Sequence, residues 1–239
     1  FETNSSSFIT LINNFNTERN VSMFGSKWKQ KDFEVQNKLS EFYDELPYCD
    51  LKVFETVMDY LPEMSHLHMA NSSVVRYCQL FDPIPSIQYW SNRGTSGIDG
   101  STSTAAGAAF IKKDDWNVLI TGDVSFFYDS NAFWNNYIMP NLRVFLINND
   151  GGGIFKIIPG PSSTHQEKYF VAPHGFSAEK LCEAFKLDYF KADSILDIES
   201  QMEAFYTFEE KGRAKVMEVF TGDINNAQFL DDFFKICVG

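Results

Sequence analysis

Two polar clusters are spaced so that they could share one piece of chemistry. Asp123 follows the apolar run 118–121 in Thr121-Gly122-Asp123, and Asn149 follows the run 143–147 in Asn148-Asn149-Asp150-Gly151. A carboxylate oxygen, a neutral amide oxygen and the Gly151 carbonyl are hard donors of the kind Mg²⁺ takes from a protein when phosphate and water complete its shell. The 26 residues from Asp123 to Asn149 fit one strand–helix–strand crossover, which would set the two side by side on adjacent strand ends. A helix opening near Ser125 would aim its free N–H groups at a diphosphate. Gly151, Gly152 and Gly153 let the backbone approach a ligand closely. The alternative is that Gly-Asp and Asn-Asn-Asp-Gly are ordinary turns. A second Thr-Gly-Asp, at 221–223, lacks any Asn-Asn-x-Gly at the required distance and reads as a turn before the last helix. The paired spacing favours a metal–diphosphate site at the first copy.

The elements that must position these residues alternate along the chain. Strands are expected at 66–70, 86–90, 118–121, 143–147, near Tyr189 and at 214–220. Helices are expected at 27–46, at 54–61, at 74–81, after Gly100, near Ser125, at 178–185 with Ser177 as its cap, at 198–208 and at 229–237. Such alternation calls for an α/β fold, a mostly parallel sheet with helices on both faces. Asn71-Ser72, Asn92-Arg93-Gly94, Gly122-Asp123 and Asn149-Asp150-Gly151 all follow the carboxyl ends of strands, the edge where open α/β sheets bind ligands.

Composition narrows the classes. The chain has 239 residues, 44% hydrophobic with 24 Phe, enough for one large α/β domain. Its net charge of −12 argues against nucleic acid and anionic membranes as partners, and no apolar run reaches spanning length. Cys49, Cys78, Cys182 and Cys237 form no CxxC pair, which fits reduced structural thiols in a cytoplasmic protein. Residues 1–26, rich in Asn and Ser, read as a linker or as the remnant of a middle domain, with the domain proper at 27–239. A chain that begins with Phe is expected to be a fragment or a processed product.

The pairing of Gly122-Asp123 with Asn148-Asn149 resembles the diphosphate-binding motif of thiamine diphosphate enzymes. Val124 stands where that motif commonly has Gly. With SNRGTSGIDGSTSTAAG at 91–107, GDVSFFYDSN at 122–131 and NNDGGGIF at 148–155, the chain resembles the 2-succinyl-5-enolpyruvyl-6-hydroxy-3-cyclohexene-1-carboxylate synthases of menaquinone biosynthesis. The resemblance is strong over residues 65–160 and implies the thiamine diphosphate-binding fold. It implies Asp123, Asn149 and the Gly151 carbonyl as ligands of Mg²⁺, with Mn²⁺ as the other candidate ion. It places the cofactor against Gly97, Ile98, Gly122, Asp123, Val124, Ser125, Asn149, Gly151 and Gly152, with Ile98 wedged between its two rings. That wedge would hold the exocyclic amine near the thiazolium carbon, so that proton removal is intramolecular. Ser72, Arg76 and Arg93 match positions that contact substrate carboxylates, and Ile154 and Phe155 match the wall of the reaction pocket.

The implied reaction is decarboxylation of 2-oxoglutarate and addition of the succinyl unit to isochorismate, in a homodimer or homotetramer. The Glu that such enzymes use to activate the aminopyrimidine belongs to a separate pyrimidine-binding domain, for which these residues supply no strand–helix set. This chain alone is therefore expected to be the C-terminal diphosphate-binding domain and catalytically silent. Another thiamine diphosphate-dependent decarboxylase or carboligase, and a cofactor-binding module without catalysis, are the competing readings. His66 and His68 share a strand face without a third ligand and read as structural, while His165 and His174 sit in a loop that sequence does not interpret. Phe126, Phe127, Tyr128, Phe133 and Trp134 are expected on one crossover helix, in the core or at a subunit interface.

Overall fold

The computed structural model describes residues 4–15, 23–137, 139–222 and 224–238. Its strands are β1 (His66–Met69), β2 (Gln88–Trp90), β3 (Asn117–Gly122), β4 (Leu142–Asn148), β5 (Asp188–Ala192) and β6 (Lys215–Phe220). They form a six-stranded sheet in the order β2-β1-β3-β4-β6-β5, with every pairing parallel. Before the sheet come α1 (Ser5–Phe15), α2 (Phe24–Glu45) and α3 (Asp50–Asp59). Between and after the strands come α4 (Ser73–Cys78), α5 (Ser101–Ile111), α6 (Asp123–Tyr128), α7 (Ile154–Ile157), α8 (Glu167–Val171), α9 (Glu179–Phe185), α10 (Ile195–Tyr206) and α11 (Asn226–Val238).

The central strands are apolar on both faces, as a parallel sheet covered on both sides requires. Val118, Ile120, Phe145, Ile147, Met217 and Val219 enter one core, with Phe54 of α3, Tyr77 of α4 and Phe205 of α10. Leu119, Leu142, Val144, Leu146 and Val216 enter the other, with Ala105 of α5, Phe126 of α6 and Cys182 of α9. Alternation along each strand thus sends successive side chains to opposite cores. The chain leaves β1 through α4 on one face to reach β2, then returns through α5 on the other face to β3. That reversal opens a crevice between the tips of β1 and β3, the place where such sheets take ligands.

Several expectations change in detail. The expected crossover helix after Asp123 is two pieces: α6 ends at Tyr128, and a 3₁₀ turn covers Ser130–Phe133. Asp129 sits at the break, where its carboxylate accepts from the Ser103 N–H at 2.7 Å and the Ser103 hydroxyl at 2.6 Å. Phe126 and Phe133 are core, whereas Tyr128 and Trp134 are exposed. Residues 5–15 form α1, which has no buried residue, and α2 begins at Phe24, so the position 26/27 lies inside a helix. Asp223, of the second Thr-Gly-Asp, and residues 1–3 and 16–22 of the expected linker lie outside the described residues.

Candidate cofactor site

Parallel register sets the site. Gly122 pairs with Ile147 and Asn148 with Phe220, so Asp123, Asn149 and Thr221 each stand just past adjacent strand ends. Above them is a cavity of about 520 Å³, a size suited to a small-molecule ligand. Its walls include Ser72, Arg76, Arg93, Gly97, Ile98, Gly122, Asp123, Val124, Ser125, Asn149, Gly151, Gly152, Ile154 and Phe155. Every site residue expected from sequence is therefore gathered around one space.

Asp123 is 1% exposed and opens α6. Its Oδ1 accepts from the Val124 N–H at 2.7 Å and its Oδ2 from the Gly151 N–H at 2.8 Å. His174 reaches the same Oδ2 with Nε2 at 3.1 Å, while its Nδ1 accepts from the Phe176 N–H at 2.9 Å. The second bond puts the imidazole proton on Nε2, so the ring donates to Asp123. Burial raises the Asp123 pKa, and the Gly151 and Val124 amides and His174 pull it back down. Two donors fill Oδ2, whereas Oδ1 has one and keeps a lone pair for a further contact.

Gly151 has φ +130°, and a Cβ there would meet the Val171 carbonyl oxygen at 2.3 Å. Glycine is thus required at 151 for conformation and for space alike. The Gly152 N–H donates to the same Val171 oxygen at 2.7 Å, seating α8 on the loop. Asn149 donates its amide N–H to Asp50 Oδ2 at 2.9 Å. Asp123 Oδ1, the Asn149 amide oxygen and the Gly151 carbonyl, which accepts from the Gly153 N–H at 2.9 Å, give a carboxylate, an amide and a backbone oxygen beside a cradle that a Cβ would fill. This set fits a hard cation whose remaining ligands are phosphate and water. Among the described residues no three His, Cys, Asp or Glu side chains gather into a metal-binding group, so a cation here would depend on those neutral and exogenous oxygens.

A second set of bonds joins the loops after β1, β2 and β3. Asn71, 1% exposed, donates from Nδ2 to the Asn92 and Gly97 carbonyls at 2.8 and 2.7 Å, and its Oδ1 accepts from Arg93 at 2.8 Å. Ser125 Oγ donates to the Ile98 carbonyl at 2.7 Å, pinning Ile98 at the cavity wall. Ile98 is half-buried and belongs to neither core. Ser72 sits at φ +73°, a conformation uncommon for serine, and its carbonyl accepts from Arg76 at 2.5 Å. Arg76 and Arg93 are exposed at the cavity rim, and among the described residues neither has a carboxylate partner within 4.0 Å. Ile154 is buried and Phe155 half-buried, its ring 5.5 Å from that of Phe170.

Sequence reasoning missed four residues that hold the site. Asp50 lies in the first turn of α3, far from both strand tips in sequence. His174 sits in the loop after α8, and Asn71 was visible only as part of a polar loop. Glu218, fully buried in β6, accepts from Asn148 Nδ2, Ser177 Oγ, Tyr189 OH and the Ala178 N–H at 2.7–3.0 Å. Asn148 then accepts from the Asp150 N–H at 3.2 Å, so Glu218 braces the loop from behind. The expected Ser177 cap is displaced: α9 opens after Ala178, which makes no side-chain capping bond, because Ser177 Oγ is turned to Glu218 and accepts only from the Glu179 N–H at 3.2 Å.

His66 and His68 are tied to structure. His66 pairs with Asp115 at 3.2 Å and accepts from Trp90 Nε1 at 3.1 Å, and His68 bonds Asn117 at 3.2 Å. All four cysteines are free thiols, and burial pushes the Cys78 and Cys182 pKa values up to about 12. No helix among the described residues is long and apolar enough to cross a membrane.

No family model matches the chain. Curated proteins do. A 2-succinyl-5-enolpyruvyl-6-hydroxy-3-cyclohexene-1-carboxylate synthase of Christiangramia forsetii is 45% identical over 201 residues, 84% of this chain and 34% of that protein. The synthase of the same name from Flavobacterium johnsoniae is 46% identical over 203 residues, 83% of this chain and 35% of that protein. That of Porphyromonas gingivalis is 40% identical over 224 residues, 92% of this chain and 38% of that protein. The chain spans about a third of the length of these relatives. Identity at this level across most of its residues means that the chain belongs to the 2-succinyl-5-enolpyruvyl-6-hydroxy-3-cyclohexene-1-carboxylate synthase family.

Proposed function

We propose that the chain is the cofactor-binding C-terminal part of a synthase that decarboxylates 2-oxoglutarate and adds the succinyl unit to isochorismate. The observation that carries this reading is the single cavity whose walls contain both the Asp123–Asn149–Gly151 donor set and the Arg93–Ile98 loop. Thiamine diphosphate, when bound, supplies the electron sink that makes decarboxylation and carbon–carbon bond formation accessible.

The chain's own residues would bind and orient. Asp123 Oδ1, the Asn149 amide oxygen and the Gly151 carbonyl would hold Mg²⁺ or Mn²⁺. The backbone of Gly122, Val124, Ser125 and Gly152 would line the diphosphate. The Val124 N–H is bonded to Asp123 Oδ1, so binding through that amide would exchange one acceptor for another. Gly97 and Ile98 would set the ring geometry. Ser72, Arg76 and Arg93 would take the substrate carboxylates, for which an exposed guanidinium at a cavity rim is suited by its bidentate fork. Ile154 and Phe155 would exclude water from the reacting end.

In this reading residues 1–26 are a connection to another part of the enzyme, and 27–239 are the diphosphate-binding unit. The activating Glu comes from a pyrimidine-binding domain outside these residues, contributed in a cytoplasmic homodimer or homotetramer. The reading is tested by titration calorimetry with thiamine diphosphate, with and without Mg²⁺, on the chain and its Asp123→Ala variant. Binding that depends on Mg²⁺ and weakens at least about tenfold in the variant supports it; binding indifferent to both counts against it. In the complete enzyme the same substitution is expected to lower kcat/KM at least about 100-fold. Turnover of 2-oxoglutarate and isochorismate by the 239-residue chain alone would refute its being silent by itself.

A further inference from the structure

The Asn149 side chain has two ends of nearly equal size and opposite chemistry: an oxygen that can hold a cation and an NH₂ that cannot. Strand register delivers the side chain to the cavity but does not decide which end faces it. A neighbour must. The NH₂ donates to Asp50 Oδ2 at 2.9 Å. A carboxylate at that point accepts and does not donate, so it selects the NH₂ and turns the oxygen the other way.

Asp50 is itself held from three directions. Its Oδ1 accepts from the Thr221 hydroxyl at the tip of β6. Its backbone N–H donates to Asn226 Oδ1 of α11 at 2.7 Å. Its place in the first turn of α3 sets a negative group where the helix dipole favours one. It is 2% exposed, lines the cavity beside Asn149, and forms no salt bridge among the described residues. Gly153 shuts the remaining side, since a Cβ there would meet Asn149 Nδ2 at 2.8 Å.

We infer that Asp50, steadied by Thr221, is a positioning residue that fixes the Asn149 amide with its oxygen toward the cation. The inference rests on the metal–diphosphate reading above. It assigns a purpose to a buried carboxylate whose bonds are to neutral donors, an arrangement that fold stability alone would not favour.

The probe is Mn²⁺ with thiamine diphosphate, bound to the full 239-residue chain and followed by loss of the free-ion paramagnetic resonance signal. Asp50→Asn offers either end of an amide to Asn149 and is expected to weaken Mn²⁺ binding about 10–100-fold. The exchange Asp50→Asn with Asn149→Asp recreates the hydrogen bond with donor and acceptor reversed and leaves a carboxylate oxygen on the cavity side. It is expected to recover most of the loss, which a purely structural role for Asp50 would not produce. Should Asp50→Asn fail to fold, Thr221→Val keeps the carboxylate and removes one of its anchors, with a smaller loss of affinity expected.

A second readout needs no metal. The Asn149 side-chain NH₂ should give a slowly exchanging pair of proton resonances in the wild-type chain and lose that protection in Asp50→Asn. Unchanged Mn²⁺ affinity in the folded Asp50 and Thr221 variants overturns the inference and leaves Asn149 as a ligand. Undiminished affinity in Asn149→Ala, or no Mn²⁺ binding by the wild-type chain, overturns the metal reading and the inference with it.

Discussion

At the tip of β3, Thr121-Gly122 delivers Asp123 into the cavity; at the tip of β6, Thr221-Gly222 delivers a hydroxyl to Asp50. The two segments share a sequence and a strand-end setting, yet their neighbours differ. β3 lies beside β4, whose tip carries Asn149 and the glycine run, and beside β1, across the crevice. β6 lies between β4 and β5, away from the crevice, with α3 and α11 closing over its tip. Thr121 is buried, and among the described residues its hydroxyl makes only a 3.4 Å contact with the Gly122 carbonyl. The buried Thr221 hydroxyl instead meets a carboxylate. A short motif therefore acquires its chemistry from the strand beside it.

Glycine substitutions should separate the two loops most strongly. Gly151→Ala, at φ +130° and against the Val171 carbonyl, is expected to cost about 3 kcal/mol in denaturant unfolding and to abolish Mg²⁺-dependent cofactor binding. A loss near zero would mean that the 149–153 loop is not held as described. Next come the threonines. Thr221→Val should cost about 1.5–3 kcal/mol by removing a hydrogen bond to a buried carboxylate, against less than about 1 kcal/mol for Thr121→Val. Equal losses would erase the distinction drawn between the two tips.

A smaller effect lies in the pH dependence. Burial raises the Asp50 pKa from 3.8 to about 6, with the Thr221 and Asn149 hydrogen bonds working against the rise. Between those values the folded state keeps a proton that the unfolded state has released, so this group's contribution to stability falls as pH rises from 3.8 to about 6. With chelator present, the stability of wild type minus that of Asp50→Asn should decline across that window. A flat difference would refute the assignment. Gly222→Ala is expected to do least: its Cβ would lie 3.3 Å from the Asp150 Cβ, at a backbone angle any residue adopts, for a change below about 1 kcal/mol.

Much of this was legible because parallel strands announce themselves as apolar runs and end in polar loops. Val118–Thr121 and Arg143–Ile147 could be read as strands, and their spacing set Asp123 beside Asn149. The supporting residues were not legible, for a physical reason. Asp50 and Asn149 are 99 positions apart and meet only because α3 packs at the end of β6 beside β4. Periodicity in α3 reports its apolar face and says nothing of an acid in its first turn. His174 and Asp123 are 51 positions apart and meet through a loop without periodicity. Arg143 shows the same limit at the opposite edge of the sheet. Inside an apolar run it reads as a strand residue, yet its fully buried guanidinium donates to the Phe205 and Thr207 carbonyls and lies 4.5 Å over Trp116. No local pattern encodes which distant carbonyls will satisfy it.

The strand order has a consequence for how the protein should respond to its ligand. The cavity draws on residues 50–54, 71–76, 93–98, 122–125 and 147–172, segments that the sheet alone brings together. No contiguous piece of the chain carries the site, so it comes into being only when the long-range pairings are complete. A bound ligand then adds its free energy to the cooperative unfolding of the whole sheet, not to the closing of one loop. Slowly exchanging amides in β1, β3, β4 and β6 should gain protection together, by the same increment, as ligand is added.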